Sequence, residues 1–137
     1  MLGSTKTITI INHWYDKTAD ADQYACDVFD ECSWYAQFIH AADTAGLHRA
    51  CIHKIRIPAT ESRAASYLEP QQWMALPTEK KPQFWTLGCE SKVVKGTVKS
   101  VTAKEHAALA RNYTVATDLT WHDSRDGIQP HWYAEGR

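Results

Sequence analysis

Histidine and cysteine side chains cluster near the middle of the chain, and both types can bind a metal ion or act in nucleophilic catalysis. His48, Cys51 and His53 lie close together in the sequence. On a β-strand, alternate residues share a face, so Cys51 and His53 point one way and His48 the other. A structural zinc site needs four ligands, usually in two close pairs, and Cys26 and Cys32 are spaced too widely for such a pair. The pattern favours an ordinary strand, and we expect neither a metal nor another cofactor.

Two other groups of residues could support chemistry, but each lacks part of its motif. His122 and Asp123 are adjacent, as a general base and its orienting carboxylate can be, yet no Gly-x-Ser-x-Gly nucleophile motif accompanies them. Asp16, Asp20 and Asp22 do not follow a calcium loop, which alternates its ligands around a central glycine. The sequence therefore predicts a protein without catalytic residues.

The composition predicts a globular protein that does not grip duplex nucleic acid. The chain has 137 residues, 44% of them hydrophobic, which suits one domain with one core. Its 15 basic and 16 acidic residues lack the basic excess that phosphate binding needs. No apolar run is long enough to span a membrane, and the N-terminus does not resemble a signal peptide, so we expect the chain to stay where it is made. The four cysteines are then expected to be reduced and mostly buried.

Alternating apolar and β-branched residues predict a mainly β fold. Thr102 and Glu105 have the spacing of a capping box, which predicts a short helix over residues 103–111. Strands are predicted over residues 6–11, 23–29, 33–40, 48–57, 92–98, 113–121 and 131–134. The second and third of these are expected to form a hairpin across Asp30 and Glu31. The expected fold is a small antiparallel β-barrel or sandwich of six to seven strands, with one short helix and a long inserted loop, in a single domain over residues 1–137.

The long loop is predicted over residues 59–83, where prolines interrupt every periodic pattern. Compact domains seldom contain so long a connection unless it has a function. It carries Tyr67, Trp73, Met74 and Leu76, and exposed loops rarely hold large apolar side chains without a surface to cover them. These four residues are therefore the candidate protein interface, on a loop that projects from the domain.

The order of several short motifs resembles the minor capsid or head-closure (stopper) proteins of tailed bacteriophages, which belong to the head–tail connector. The resemblance spans almost the whole chain. Its motifs are Ile10-Ile11-Asn12-His13-Trp14-Tyr15-Asp16, Ser33-Trp34-Tyr35, Arg56-Ile57-Pro58, Trp85-Thr86-Leu87, Val93-Val94-Lys95-Gly96 and His131-Trp132. Relatives tend to carry Gly-Asp before the Val-Val-Lys-Gly strand, whereas this chain has Gly88-Cys89-Glu90-Ser91.

The resemblance implies a virion structural protein that is assembled in the host cytoplasm and located in the neck. Copies would form a ring, with sixfold or twelvefold symmetry expected, between a portal or adaptor protein and a tail or tail-terminator protein. Packaged DNA would pass through the lumen without specific binding, and no membrane, cofactor or catalytic residue is implied. Two alternatives stay open: another neck or capsid role (adaptor, tail terminator or decoration), or a small intracellular metal-dependent domain that uses cysteine and histidine.

Overall fold

A single antiparallel sheet organises the chain in a computed structural model that describes residues 5–43 and 46–137, with the backbone alone for 39–43 and 47–50. The described residues form seven strands. They are β1 (Lys6–Asp16), β2 (Ala21–Asp43), β3 (Gly46–Pro58), β4 (Lys92–Lys95), β5 (Val115–Ala116), β6 (Thr120–Ser124) and β7 (His131–Gly136). Their order across the sheet is β5-β4-β1-β2-β3-β7-β6. The prediction of a mainly β, antiparallel fold is confirmed.

The sheet curls into a half-barrel, so that its two ends approach one another. Just beyond β5, Thr117 and Arg137 exchange two backbone hydrogen bonds of 2.9 Å each. Gly136 lies at this junction, where a Cβ atom would come within 2.6 Å of the Thr117 carbonyl oxygen. Only glycine fits where two backbones approach so closely.

Four short α-helices and one 3-10 turn connect the strands in the described part of the chain, where one helix was predicted. They are α1 (Glu61–Ser66), α2 (Pro70–Met74), the 3-10 turn at Lys81–Gln83, α3 (Ala103–Ala107) and α4 (Leu109–Asn112). The capping box is confirmed: Thr102 accepts from the Glu105 N–H, and the Glu105 side chain accepts from the Thr102 N–H. The helices that were not predicted, α1 and α2, have six and five residues, too short to produce a helical hydrophobic period.

The hairpin predicted across Asp30 and Glu31 is wrong, because β2 runs through both residues as one long strand. Glu31 has a positive φ of 58°. The register of β1 against β2 shifts between the pairs Lys6–Cys32 and Ile8–Phe29. A polar residue with positive φ beside a register shift is typical of a β-bulge, which bends a strand without ending it.

Apolar side chains pack on both faces of β1, which is a central strand. Ile8 and Ile10 face the main core inside the half-barrel, together with Trp85 and Trp132. Ile11 faces the opposite side, where it packs in a smaller cluster with Val94 of β4, with Val98 and with Leu109 of α4. The near-continuous apolar run of β1 therefore follows from burial on both faces.

Asp27 on β2 is half-buried, and its buried Oδ2 atom accepts no hydrogen bond from any residue that the structure describes. It lies opposite Ile10, on the face of the main core. Burial without a compensating partner disfavours the charged form, and it raises the pKa of Asp27 from its ordinary value of 3.8 to about 6.

Asp27→Asn is expected to stabilise the protein by about 1–2 kcal/mol at pH 7. Because the folded-state pKa is the higher one, the protonated carboxyl favours folding below pH 4, and this contribution is lost as the pH rises from 4 to 6. Asparagine stays neutral throughout. Urea unfolding of both proteins between pH 4 and 8 should show curves that converge at pH 4 and separate above it. A difference that does not change with pH would contradict the assignment.

Candidate functional site

Tyr67, the first of the predicted interface residues, lies in the main core of its own chain. Only 6% of its surface is exposed. Its ring packs against Trp85 and Trp132, with centroid distances of 4.7 and 5.1 Å. Leu68 N–H donates to the Trp85 carbonyl, and Trp85 N–H donates to the Ser66 carbonyl, so main-chain hydrogen bonds also hold this segment.

Trp73, the second, is 2% exposed and packs edge-to-face on Trp14 of β1. Its indole N–H lies 3.2 Å from the carbonyl oxygens of both Lys81 and Phe84. The buried Lys81 ammonium in turn donates to the carbonyls of Met74, the last residue of α2, and of Leu76, just beyond it. The same ammonium lies within cation–π distance of the Trp14 and Trp73 rings.

The prediction of a projecting loop over residues 59–83 is therefore corrected. The segment folds back across the sheet, and Tyr67, Trp73 and the half-buried Leu76 are covered by this chain itself. Of the four candidate residues only Met74 is exposed, at 58%. Proline spacing correctly indicated a segment without strands, but it could not indicate whether the apolar side chains bury against their own domain.

A small cleft of about 170 Å³ lies beside Trp73 and Met74. Three of its lining residues are linked by hydrogen bonds: Asn12 donates to the Thr86 carbonyl, and Ser91 donates to the Asn12 side-chain oxygen. The Gly88 N–H donates to Ser91 Oγ. His13 and Thr86 also line the cleft, and neither His13 Nδ1 nor Thr86 Oγ1 has a hydrogen-bond partner among the described residues.

Cys51 and His53 are neighbours on one face of β3, as predicted, with Sγ and Nε2 3.8 Å apart. Trp34 donates its indole N–H to His53 Nδ1 at 3.0 Å. That bond requires a lone pair on Nδ1, so the neutral ring carries its proton on Nε2, the nitrogen that faces the thiol. In this tautomer His53 donates toward Cys51 and cannot act as its base. The side chain of His48 lies outside the described part.

The cysteines differ from one another in burial. Cys32 is buried and Cys26 half-buried, and desolvation raises the pKa of these thiols to about 12 and about 11. Cys51 is half-buried and Cys89 exposed, so Cys32 alone of the four is fully buried, fewer than the expectation of mostly buried cysteines. Within the described residues no three His, Cys, Asp or Glu side chains converge as metal ligands. No helix of that part is long and apolar enough to cross a membrane.

The most distinctive feature is an arm formed by the outer half of the β2–β3 hairpin. Pairing of β1 with β2 ends at Cys32, and pairing of β7 with β3 ends at His53. Beyond these points β2 and β3 continue from the pair Gln37–Ile52 to the pair Asp43–Gly46. We call residues 37–43 and 46–52 the arm. At the usual rise of a strand it is about 23 Å long.

Within the part of the chain that the structure describes, no other strand pairs with either outer edge of the arm. At its base Tyr35 is 61% exposed. The arm sequence contains Phe38, Ile39, Leu47 and Ile52, and few charges. An apolar two-stranded ribbon that leaves the sheet with open edges is a surface suited to another polypeptide.

Sequence reasoning identified the two strands of the arm but not its projection. The strand over residues 48–57 was predicted, and Gly46, just before it, has a positive φ of 116°, which glycine adopts without strain. Strand length gave no signal for the projection, because the strand predicted over residues 113–121 is longer than the one predicted over residues 33–40.

One protein-family model matches residues 4–137, and its description is "Family of unknown function (DUF6751)". No curated protein matches the chain. No solved structure matches it. The function has to be inferred from the geometry of the arm.

Proposed function

The chain belongs to the DUF6751 family, and from that premise we propose that it is a structural protein that assembles with copies of itself through the arm. In the form that its motifs suggest, it is a ring subunit of the head–tail connector of a tailed-phage virion. There it docks between a portal or adaptor and a tail protein, and DNA passes through the lumen. The observation that carries the proposal is the arm, which leaves the sheet with both edges unpaired.

A ribbon of two strands is marginally stable in water when nothing covers it. Natural proteins usually protect long sheet edges, because exposed main-chain N–H and C=O groups recruit other strands. An arm that is both long and apolar is therefore best explained by a protein surface that covers it after assembly. Strand addition and apolar burial are the interactions that such a surface offers.

The charge of the chain supports this role over nucleic-acid recognition. Acidic and basic residues nearly balance, with a formal net charge of −1. Phosphate binding depends on clustered lysine and arginine. The lack of an excess of basic residues in this chain suits a channel through which DNA moves without binding. Protein–protein docking does not require such an excess.

Shortening the arm is expected to abolish assembly and leave the domain folded. Residues 38–51 are replaced by Asn-Gly, so that a type I′ turn joins the cross-strand partners Gln37 and Ile52. Because the sheet contacts of β2 and β3 lie outside the deletion, thermal unfolding should shift by only a few degrees. Sedimentation velocity at rising concentration should show ring-sized oligomers for the wild type and monomers for the shortened chain.

Ile128→Ser is the matched control, because Ile128 is fully exposed in the loop between β6 and β7. It removes an exposed apolar side chain far along the chain from the arm, and it should assemble as the wild type does. The proposal fails if the shortened chain assembles normally, or if the wild type remains monomeric at every concentration tested.

A further inference from the structure

A second open edge exists in the described structure, on β6. This strand is last in the sheet order and pairs with β7 alone. Thr117 and Arg137 exchange two backbone hydrogen bonds, so the N–H and C=O groups of Arg137 point toward the β6 side. This direction alternates along a strand, so every second residue of β7, counted back from Arg137, also points its backbone groups toward β6. Tyr133 is one of these, and its partner His122 faces it. Trp121 and Asp123 therefore direct their N–H and C=O groups away from β7, to the open edge.

The opposite end of the sheet does not offer an edge of this kind. β5 has only two residues, and Thr117 directly after it is already bonded to Arg137. Lys95 N–H, beside β5, donates to the Thr114 carbonyl. Apart from the arm, β6 is thus the sheet edge within the described residues that has room for another strand.

The arm cannot reach β6 of its own chain. β7 lies between β3 and β6, and it ends where the arm begins, at the pair His53–Gly136. β6 starts opposite Glu135 and runs away from the arm to Ser124, opposite His131. Pairing between the arm and β6 would therefore need two copies of the chain.

We infer that the arm of one copy adds to the open edge of β6 in the next copy, so that main-chain hydrogen bonds continue the sheet between subunits. The inference rests on the proposed function and names the surface that the arm contacts. Two different surfaces meet in this contact, which makes it heterologous: repeated around a closing rotation it gives a ring. The strand-on-edge contact uses backbone groups, and neighbouring side chains set its register.

Asp123→Pro tests the contact at the edge of β6. Proline removes the outward N–H of residue 123 and leaves the bonds to β7 in place, which is how proline is tolerated on an edge strand. Asp123 also pairs with Arg125 at 2.6 Å, so Asp123→Ala is the control that loses the same carboxylate and keeps the N–H. In sedimentation velocity, D123A should form the wild-type oligomer and D123P should stay monomeric, with similar unfolding temperatures.

Mixing two assembly-deficient chains tests which surfaces meet. The D123P chain still offers its arm, and the shortened-arm chain still offers an intact β6 edge. An equimolar mixture should form one-to-one dimers that grow no further, while each chain alone stays monomeric. Arm-to-arm pairing would instead let the D123P chain dimerise with itself, and the mixture would contain no mixed dimer. Normal assembly of D123P, or a mixture that stays monomeric, overturns this inference. The proposed function still stands in that case if the shortened-arm chain fails to assemble. Normal assembly of the shortened chain overturns both.

Discussion

Trp73→Ala is expected to lower the free energy of unfolding by about 3–5 kcal/mol, the largest loss among the substitutions considered for the segment over the sheet. The indole is 2% exposed and packs on Trp14 with a centroid distance of 5.5 Å. Its removal leaves a cavity between α2 and β1. It also removes the hydrogen bonds from the indole to the carbonyls of Lys81 and Phe84.

The matched control is Met74→Ala, one residue further along the same helix and 58% exposed. It should change the free energy of unfolding by no more than about 0.5 kcal/mol, as ordinary surface substitutions do. Urea unfolding followed by tryptophan fluorescence, with circular dichroism as a second probe, measures both. Equal small effects would contradict the packing of this segment, because a projecting loop would contribute nothing to the stability of the monomer.

Lys81→Met is expected to destabilise the fold by about 2–4 kcal/mol, although it increases hydrophobicity. The ammonium is buried and donates to the carbonyl oxygens of Met74 and Leu76. Methionine has similar length and no donor, so it would leave both carbonyls unsatisfied. It would also remove the cation 5.6 Å from the centre of the Trp73 ring.

Two variants separate this effect from a general loss of positive charge. Lys80→Met changes the exposed neighbouring lysine and should cost no more than about 0.5 kcal/mol. Lys81→Arg keeps donors and a cation, and it should recover part of the loss. If K81M proves as stable as the wild type in urea, Lys81 does not hold the end of α2 as described.

These two predictions concern the segment where sequence reasoning was least informative. Apolar residues among prolines are compatible with an interface and with a folded cover, because neither the spacing of Tyr67 nor that of Trp73 specifies what they contact. The deciding interactions are long-range: Tyr67 meets Trp132, and Trp73 meets Trp14. Local patterns do not encode such pairs.

Strand content was the most predictable part of the fold. Alternating β-branched residues marked β1 and β3, and the Thr102–Glu105 capping box marked the start of α3. The bulge at Glu31 was predicted as a turn, because the acidic pair Asp30 and Glu31 within an apolar run is compatible with a bulge and with a turn. The positive φ of Asp118 similarly divides one predicted strand into β5 and β6.

The arm follows from a mismatch that only the pairing register reveals. β2 has 23 residues, whereas β1, its partner on one side, has 11. The residues of β2 beyond Cys32, from Ser33 to Asp43, pair with β3 alone. A prediction of strand positions cannot show this, because pairing partners depend on the topology of the whole sheet.

Hydrogen exchange of the backbone amides over residues 37–43 and 46–52 tests the central claim most directly. It is measured on the wild-type chain at low concentration and again at a concentration where it assembles. We predict that alternate amides along the arm, those that face outward, exchange markedly more slowly after assembly, while amides of β1 are unchanged. Assembly without any change in the exchange of the arm would mean that copies meet elsewhere, and the proposed role of the arm would be wrong.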